Sequence, residues 1–151
     1  MTHRYWRRVT VILGVLALGL AVRAAAAQAT PAEADAIIGT WLTEDSTARV
    51  TIADSSGSFS GTVVWVKPDG DGAEPLDAKN ADTALRTRPI LGIRVLTGFV
   101  SAGNGVWSKG KVYSPTRGHT YGGQLTLRKD GRLAVEGKSG PISKTETWTR
   151  Q

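Results

Sequence analysis

From residue 38 onward, the chain alternates short apolar and polar stretches that end at turns rich in glycine, asparagine and aspartate. Regularly spaced segments of this kind are typical of β-strands joined by turns. The pattern predicts about eight strands, at residues 38–42, 48–53, 58–67, 93–100, 106–113, 120–128, 132–137 and 142–150. Eight antiparallel strands can close into a barrel with room for side chains or one small ligand. We therefore predict an all-β fold, an up-and-down antiparallel barrel.

Two segments depart from this strand pattern. Residues 67–92 form a long connection of about 25 residues, and loops of that length are often lids or binding loops. Within it, Asp82 can cap a short helical turn over residues 83–86, which the following Pro89 ends. Residues 30–36, which precede the first strand, predict one turn of helix.

The alternation of side chains along two strands indicates which residues could face a cavity. In the third strand, strict alternation places Phe59 and Trp65 on the same face. In the last strand, Lys144 and Glu146 share a face with Trp148, so neither face is wholly apolar. Either the barrel cavity is partly polar or one face of this strand meets water.

The first 29 residues predict an exported protein. Arg4, Arg7 and Arg8 precede an apolar run at 9–22, and small residues with a plausible cleavage site follow at 24–29. This is the pattern of a secretory signal peptide, and the run is shorter than the roughly 20 residues of a membrane span. We predict a signal peptide at 1–29 and a single barrel domain at 30–151. The protein would be periplasmic or secreted, without a membrane span after cleavage.

The signal segment also changes the charge. The chain has 19 basic and 13 acidic residues; four basic and no acidic residues lie in 1–29, so the net charge falls from +6 to +2. A charge of +2 argues against nucleic-acid binding. There is no cysteine, which excludes disulfides, thiolate chemistry and a lipoprotein anchor. Only His119 remains after residue 29, so we expect neither a metal nor a cofactor.

Aromatic and basic side chains are the candidates for ligand binding. Tryptophans on the strands either fill the barrel or line a cavity. The basic residues could hold an anionic head group, or they face solvent or pair with Asp77 or Asp82. The nine candidates are Trp65, Lys67, Arg86, Arg88, Trp107, Lys109, Tyr113, Tyr121 and Trp148.

No catalytic residue stands out. The segment 57–61 resembles a nucleophile elbow in its glycines and serines, but its central residue is Phe59. Residues 69–72 begin like a calcium-binding loop, but the later ligand spacing fails. An enzyme, in particular a hydrolase of envelope lipid or glycan, is therefore the least favoured of the functions considered.

Three blocks of sequence carry a family resemblance. They are Ile38–Asp45, the segments 61–65, 76–82 and 85–92, and the segments 107–115, 118–121 and 145–150. Together they resemble the bacterial exported family called domain of unknown function 2147. The resemblance implies a lipocalin-like barrel outside the cytoplasm and brings no established reaction. Ala81 and His119 depart from the pattern, which has proline and lysine there.

Two binding functions follow from these observations. The first is binding of a small apolar or anionic ligand at the barrel mouth, under the loop at 68–92. The alternative is a protein-binding module, an inhibitor or an envelope-stress partner, that recognises a periplasmic protein through its loops.

Overall fold

The computed structural model describes residues 30–151, in which eight strands form a closed antiparallel barrel. The strands are β1 Gly39–Leu42, β2 Ala48–Ser55, β3 Ser58–Val66, β4 Arg94–Gly103, β5 Val106–Ser114, β6 His119–Leu127, β7 Leu133–Ser139 and β8 Ile142–Arg150. Each strand pairs with its neighbours in sequence, and β1 pairs with β8. The predicted all-β, up-and-down barrel is confirmed. The predicted signal peptide lies outside the described residues.

A short helical segment closes one end of the barrel. Helix α1 at Pro31–Ala34 continues into a 3₁₀ turn at Asp35–Ile37, and the Ile37 side chain is buried. The indole N–H of Trp107 donates to the carbonyl oxygen of Ala34 at 3.0 Å, and that of Trp41 donates to Ile37 at 2.9 Å. Within residues 30–151, no helix is long and apolar enough to cross a membrane.

Arg150, near the chain end, fastens this segment to the barrel. Its guanidinium lies 4.3 Å from the centre of the Trp41 ring, a cation–π distance. The same group donates to the carbonyl oxygens of Ala36 at 2.6 Å and Ile38 at 2.8 Å. The first and last parts of the barrel are thus joined through one side chain.

The closed half of the barrel is filled by aromatic rings. The buried ring of Phe99 lies against two inward-facing glycines, Gly110 and Gly123, where a methyl group would overlap it. The rings of Phe59 and Trp107 meet edge to face, with centroids 6.4 Å apart. A register shift in β5, where Lys109 has a φ of 63°, brings Gly110 opposite Gly123.

The prediction that Trp65 lies on the same face of its strand as Phe59 is wrong. The pairing of β2 with β3 shifts between Arg49 and Val50, so that Arg49 opposes Trp65 while Val50 opposes Val63. The extra residue is a β-bulge, which reverses the alternation beyond it. As a result Trp65 lies on the outer surface, where the Arg49 guanidinium stacks 4.8 Å from its ring centre.

The long connection between β3 and β4 contains the predicted helical turn, as a 3₁₀ helix at Thr83–Leu85. The Asp82 side chain accepts a hydrogen bond from the Ala84 N–H at 3.0 Å, as expected of an N-cap. On either side of this 3₁₀ helix, Leu76 and Pro89 form an isolated β-bridge that brings the two arms of the connection together.

Substitution of two adjacent glycines in β6, one at a time, tests the packing around Phe99. A methyl group on Gly123 would lie 2.6 Å from the Phe99 ring and 2.8 Å from Val112, whereas one on Gly122 would meet only a carbonyl oxygen at 3.9 Å. We expect Gly123→Ala to lower the free energy of unfolding by ~1–3 kcal/mol through overpacking. Gly122→Ala is the matched control, expected to change it by less than about 0.5 kcal/mol. Urea denaturation measures both, and equal effects would contradict this account of the core.

Candidate functional site

A cavity of ≈ 200 Å³ opens at the end of the barrel opposite α1. Its rim includes residues of the three turns at 43–47, 114–117 and 139–142. Its inner wall is mainly aliphatic and is formed by Val50, Val63, Val66, Ile90, Val95, Val112 and Val135. Tyr113, Tyr121 and Trp148 add aromatic surface. The barrel is therefore a cup, filled at one end and hollow at the other.

One wall of the cup is charged. Lys144 and Glu146 line the cavity, and the ammonium of Lys144 lies 3.0 Å from a carboxylate oxygen of Glu146. The other oxygen of Glu146 accepts a hydrogen bond from the Trp148 indole N–H at 3.3 Å. Ile142, on the same strand, lines the rim although its side chain is 70% exposed. The partly polar cavity is observed, and the opposite face of the strand meets water as well, since Ser143, Thr145 and Thr149 are exposed.

A buried polar cluster lies beside the mouth. Asp77 is fully buried and accepts hydrogen bonds from the Tyr113 hydroxyl at 2.6 Å and the Asn80 amide at 2.7 Å. Two nitrogens of Arg88 donate to the same carboxylate at 3.0 and 2.9 Å. Every oxygen of this carboxylate is thus paired, as a buried charge requires.

The cluster shifts the pKa values of two of its members. Burial alone would raise the pKa of Asp77, but hydrogen bonds from Tyr113, Asn80 and Arg88 outweigh burial and lower it below 3.8. Burial and the hydrogen bond to Asp77 raise the pKa of Tyr113 to about 12. Asp77 is therefore an anion and Tyr113 a neutral donor across the physiological range.

The cluster holds the long loop against the side of the mouth. The Ala81 N–H donates to the carbonyl oxygen of Gly118 in the turn between β5 and β6. Gly118 has a φ of 71°, and any side chain there would overlap the Lys79 backbone. From the part of the loop at 68–92, only Ile90 lines the cavity. The loop lies beside the opening, and most of the rim comes from the turns.

The predicted ligand-binding residues lie in four places. Tyr113, Tyr121 and Trp148 line the cavity. Trp107 is buried in the closed half, and Trp65 lies on the outer surface. Lys67 and Lys109 are exposed and do not line the cavity. The loop arginines serve the loop itself, since Arg86 donates to the Asn80 carbonyl at 2.8 Å and Arg88 pairs with Asp77.

Four charged residues of the cavity were absent from the predicted set, and one of them is Asp45 in the turn at 43–47. Lys144 and Glu146 share a strand face with Trp148, and this alternation was the signal that could have identified them. Arg117 lies in a turn, where no periodicity indicates direction. Within residues 30–151, no group of three or more His, Asp or Glu side chains could hold a metal ion.

Replacing the buried carboxylate tests the cluster. We expect Asp77→Asn to lower the free energy of unfolding by ~3 kcal/mol, because Arg88 loses its buried anionic partner. Asp82→Asn, in the same loop, is the control, since asparagine caps a helix as well as aspartate does. Chemical denaturation at neutral pH compares the two, and a neutral effect of Asp77→Asn would refute the role given to the ion pair.

The same cluster has a pH signature. A carboxylate whose pKa is lowered on folding stabilises the protein above its unfolded pKa of 3.8 and loses that contribution as the pH falls through its folded pKa. The difference in unfolding free energy between the natural protein and Asp77→Asn should be constant from about pH 7 to 5 and shrink below about pH 4. Asp45, whose pKa is also lowered, is present in both proteins and cancels. A difference that stays constant at acid pH would contradict this assignment.

Comparisons with known proteins agree with this architecture. A structure titled "Protein HP1028 from the human pathogen Helicobacter pylori belongs to the lipocalin family" is similar to the chain with a TM-score of 0.65. The two share 24% identity over 76% of this chain and 82% of the other, a likeness that shows the fold. The search of curated proteins gives no match. The model of a family described as "Uncharacterized protein conserved in bacteria (DUF2147)" matches residues 39–150, and the chain belongs to this family.

Proposed function

We propose that this protein is an exported binding protein that takes up one small, partly apolar ligand in the cup. The observation that carries the proposal is the hollow half of the barrel, whose aliphatic wall is open to solvent at one end only. A concave, mainly apolar pocket with a few polar groups is the usual form of a small-molecule site. The lipocalin-like fold agrees with such a role.

The dimensions of the cup restrict the ligand. Its volume of ≈ 200 Å³ is below the ~300–1,000 Å³ typical of sites for drug-sized molecules. The cup therefore suits a small molecule, or the apolar end of a longer one whose other end stays at the rim. The Lys144–Glu146 pair and the aromatic side chains Tyr121 and Trp148 would contact its polar part.

Export is part of the proposal. It is supported by the pattern of residues 1–29, with a basic head, an apolar run and small residues before a plausible cleavage site. The ligand would then be a molecule of the periplasm or the surroundings. N-terminal sequencing of the protein from a periplasmic fraction tests this, and an intact Met1 in the cytoplasmic fraction would contradict it.

A glycine in the cavity wall allows a direct test of ligand binding. Gly137 lines the cup, and a methyl group there would make only ordinary contacts, the nearest with Tyr121 at 3.4 Å. We expect Gly137→Leu to fill the cup and reduce binding at least about 10-fold without loss of stability, since buried apolar area increases. Gly122→Leu is the matched control, because its side chain would enter open space near Lys138 on the outer surface.

Binding can be followed through Trp148, which lines the cup and changes its fluorescence when its surroundings change. Native mass spectrometry of the freshly purified protein gives an independent measurement of retained small molecules. The proposal fails if Gly137→Leu and Gly122→Leu bind the same amphiphiles with equal affinity. Recognition of a protein partner by the long loop stays a prediction, for which the exposed side chains of Leu76, Leu85 and Leu91 are the place to begin.

A further inference from the structure

The two carboxylates at the mouth of the cup both accept hydrogen bonds from protein donors. The Asp45 carboxylate accepts from the hydroxyls of Thr43 and Thr47, both at 2.8 Å, and from the Thr47 N–H at 3.1 Å. Glu146 accepts from Lys144 and Trp148. Both carboxylates of the cavity lining therefore have protein partners, but the three bonds to Asp45 all go to one oxygen, and its other oxygen accepts none within residues 30–151.

The donors at the mouth, in contrast, are in excess. Within residues 30–151, the Arg117 guanidinium has no ion pair and donates no side-chain hydrogen bond, although it lines the rim. The hydroxyl of Tyr121, which lines the same cavity, is also without a hydrogen-bond partner there, and it is not sealed in the core. Lys144 uses one of its three N–H groups on Glu146.

The two free groups belong to one hairpin. Arg117 lies in the turn between β5 and β6, and Tyr121 lies in β6 opposite Val112 of β5. Val112 and Tyr121 both line the cavity. This hairpin therefore supplies apolar surface inside the cup together with the two unpaired donors. Lys144 lines the cavity from β8.

A carboxylate is the head group that fits these unpaired hydrogen-bond donors. It has acceptors only, and a guanidinium binds it with two parallel hydrogen bonds. An ammonium group would meet two cations, Arg117 and Lys144. Of the carboxylates, Glu146 already pairs with Lys144, and the open oxygen of Asp45 belongs to the turn at 43–47 and not to this hairpin. An alcohol would leave most of the Arg117 donors unused. We infer that the ligand is an aliphatic carboxylate, with its chain among the valines of the cup and its head group bound by Arg117 and Tyr121. This inference rests on the proposed function.

Three ligands with alkyl chains of the same length separate the contribution of the head group to affinity from that of the apolar chain. Octanoate, octanol and octylamine are titrated by calorimetry into the purified protein at about neutral pH. We expect octanoate to bind at least about 10-fold more tightly than octanol, because its head group gains charge-assisted hydrogen bonds. We expect octylamine to bind no better than octanol.

Two variants assign the preference to residues. Arg117→Gln should lower the affinity for octanoate about 10-fold and leave the affinity for octanol unchanged. Tyr121→Phe should lower the affinity for octanoate to a smaller extent. Arg132→Gln is the control, since it makes the same change of charge in the turn at the closed end, where Arg132 pairs with Asp130. Because Arg117 is exposed in a turn, its replacement leaves the packed core intact.

The outcomes distinguish this inference from the proposed function. Equal affinity for octanoate and octanol, or an equal loss of affinity for both in Arg117→Gln, would overturn the inference of a carboxylate ligand. The proposed binding of a small molecule in the cup would still stand. Tighter binding of octylamine would overturn it as well. If no probe binds and Gly137→Leu has no effect on retained molecules, the proposed function fails together with the inference.

Discussion

The position of the Phe99 ring divides the barrel, and the cup depends on it. Phe99 can reach the barrel axis because Gly110 and Gly123 present no side chain where the ring lies. Below this level, Trp41, Phe59 and Trp107 fill the interior. Above it, the inward positions are mostly valines, which are too short to meet across an eight-stranded barrel. The hollow half follows from this change in side-chain size along the axis.

A chain without cysteine must hold its long loop by other means. The loop is fastened at Asp77, where four donor atoms from Tyr113, Asn80 and Arg88 surround one buried carboxylate. Taking a charge out of water costs several kcal/mol, about as much as such contacts return, so the cluster fixes geometry more than it adds stability. Its consequence for function is that the loop is docked on the turn that contains Gly118 and leaves the mouth open.

Local sequence signals predicted the strands well, because each strand combines alternation with a turn at its end. The cap at Asp82 was also predictable, since its partner is two residues away. The bulge that turns Trp65 outward was not, because the register of β2 against β3 is decided by packing on both faces. The Asp77–Tyr113 contact joins residues 36 positions apart, and no spacing in the sequence indicates it. Of the candidate site, the aromatic residues Tyr113, Tyr121 and Trp148 were found, whereas the direction of Arg117 depends on the turn.

The charged pair of β8 has a structural role that is separate from recognition. Within residues 30–151, β1 pairs with β8 only at Thr149 and Arg150, so the mouth end of β8 is an open strand edge. Inward-pointing charges on such an edge oppose pairing with another chain. The Glu44 carboxylate covers part of it by accepting the Thr147 N–H at 2.6 Å. Because Lys144 and Glu146 neutralise each other in this role, Arg117 and Asp45 are the charged groups of the lining that have no ion-pair partner within residues 30–151.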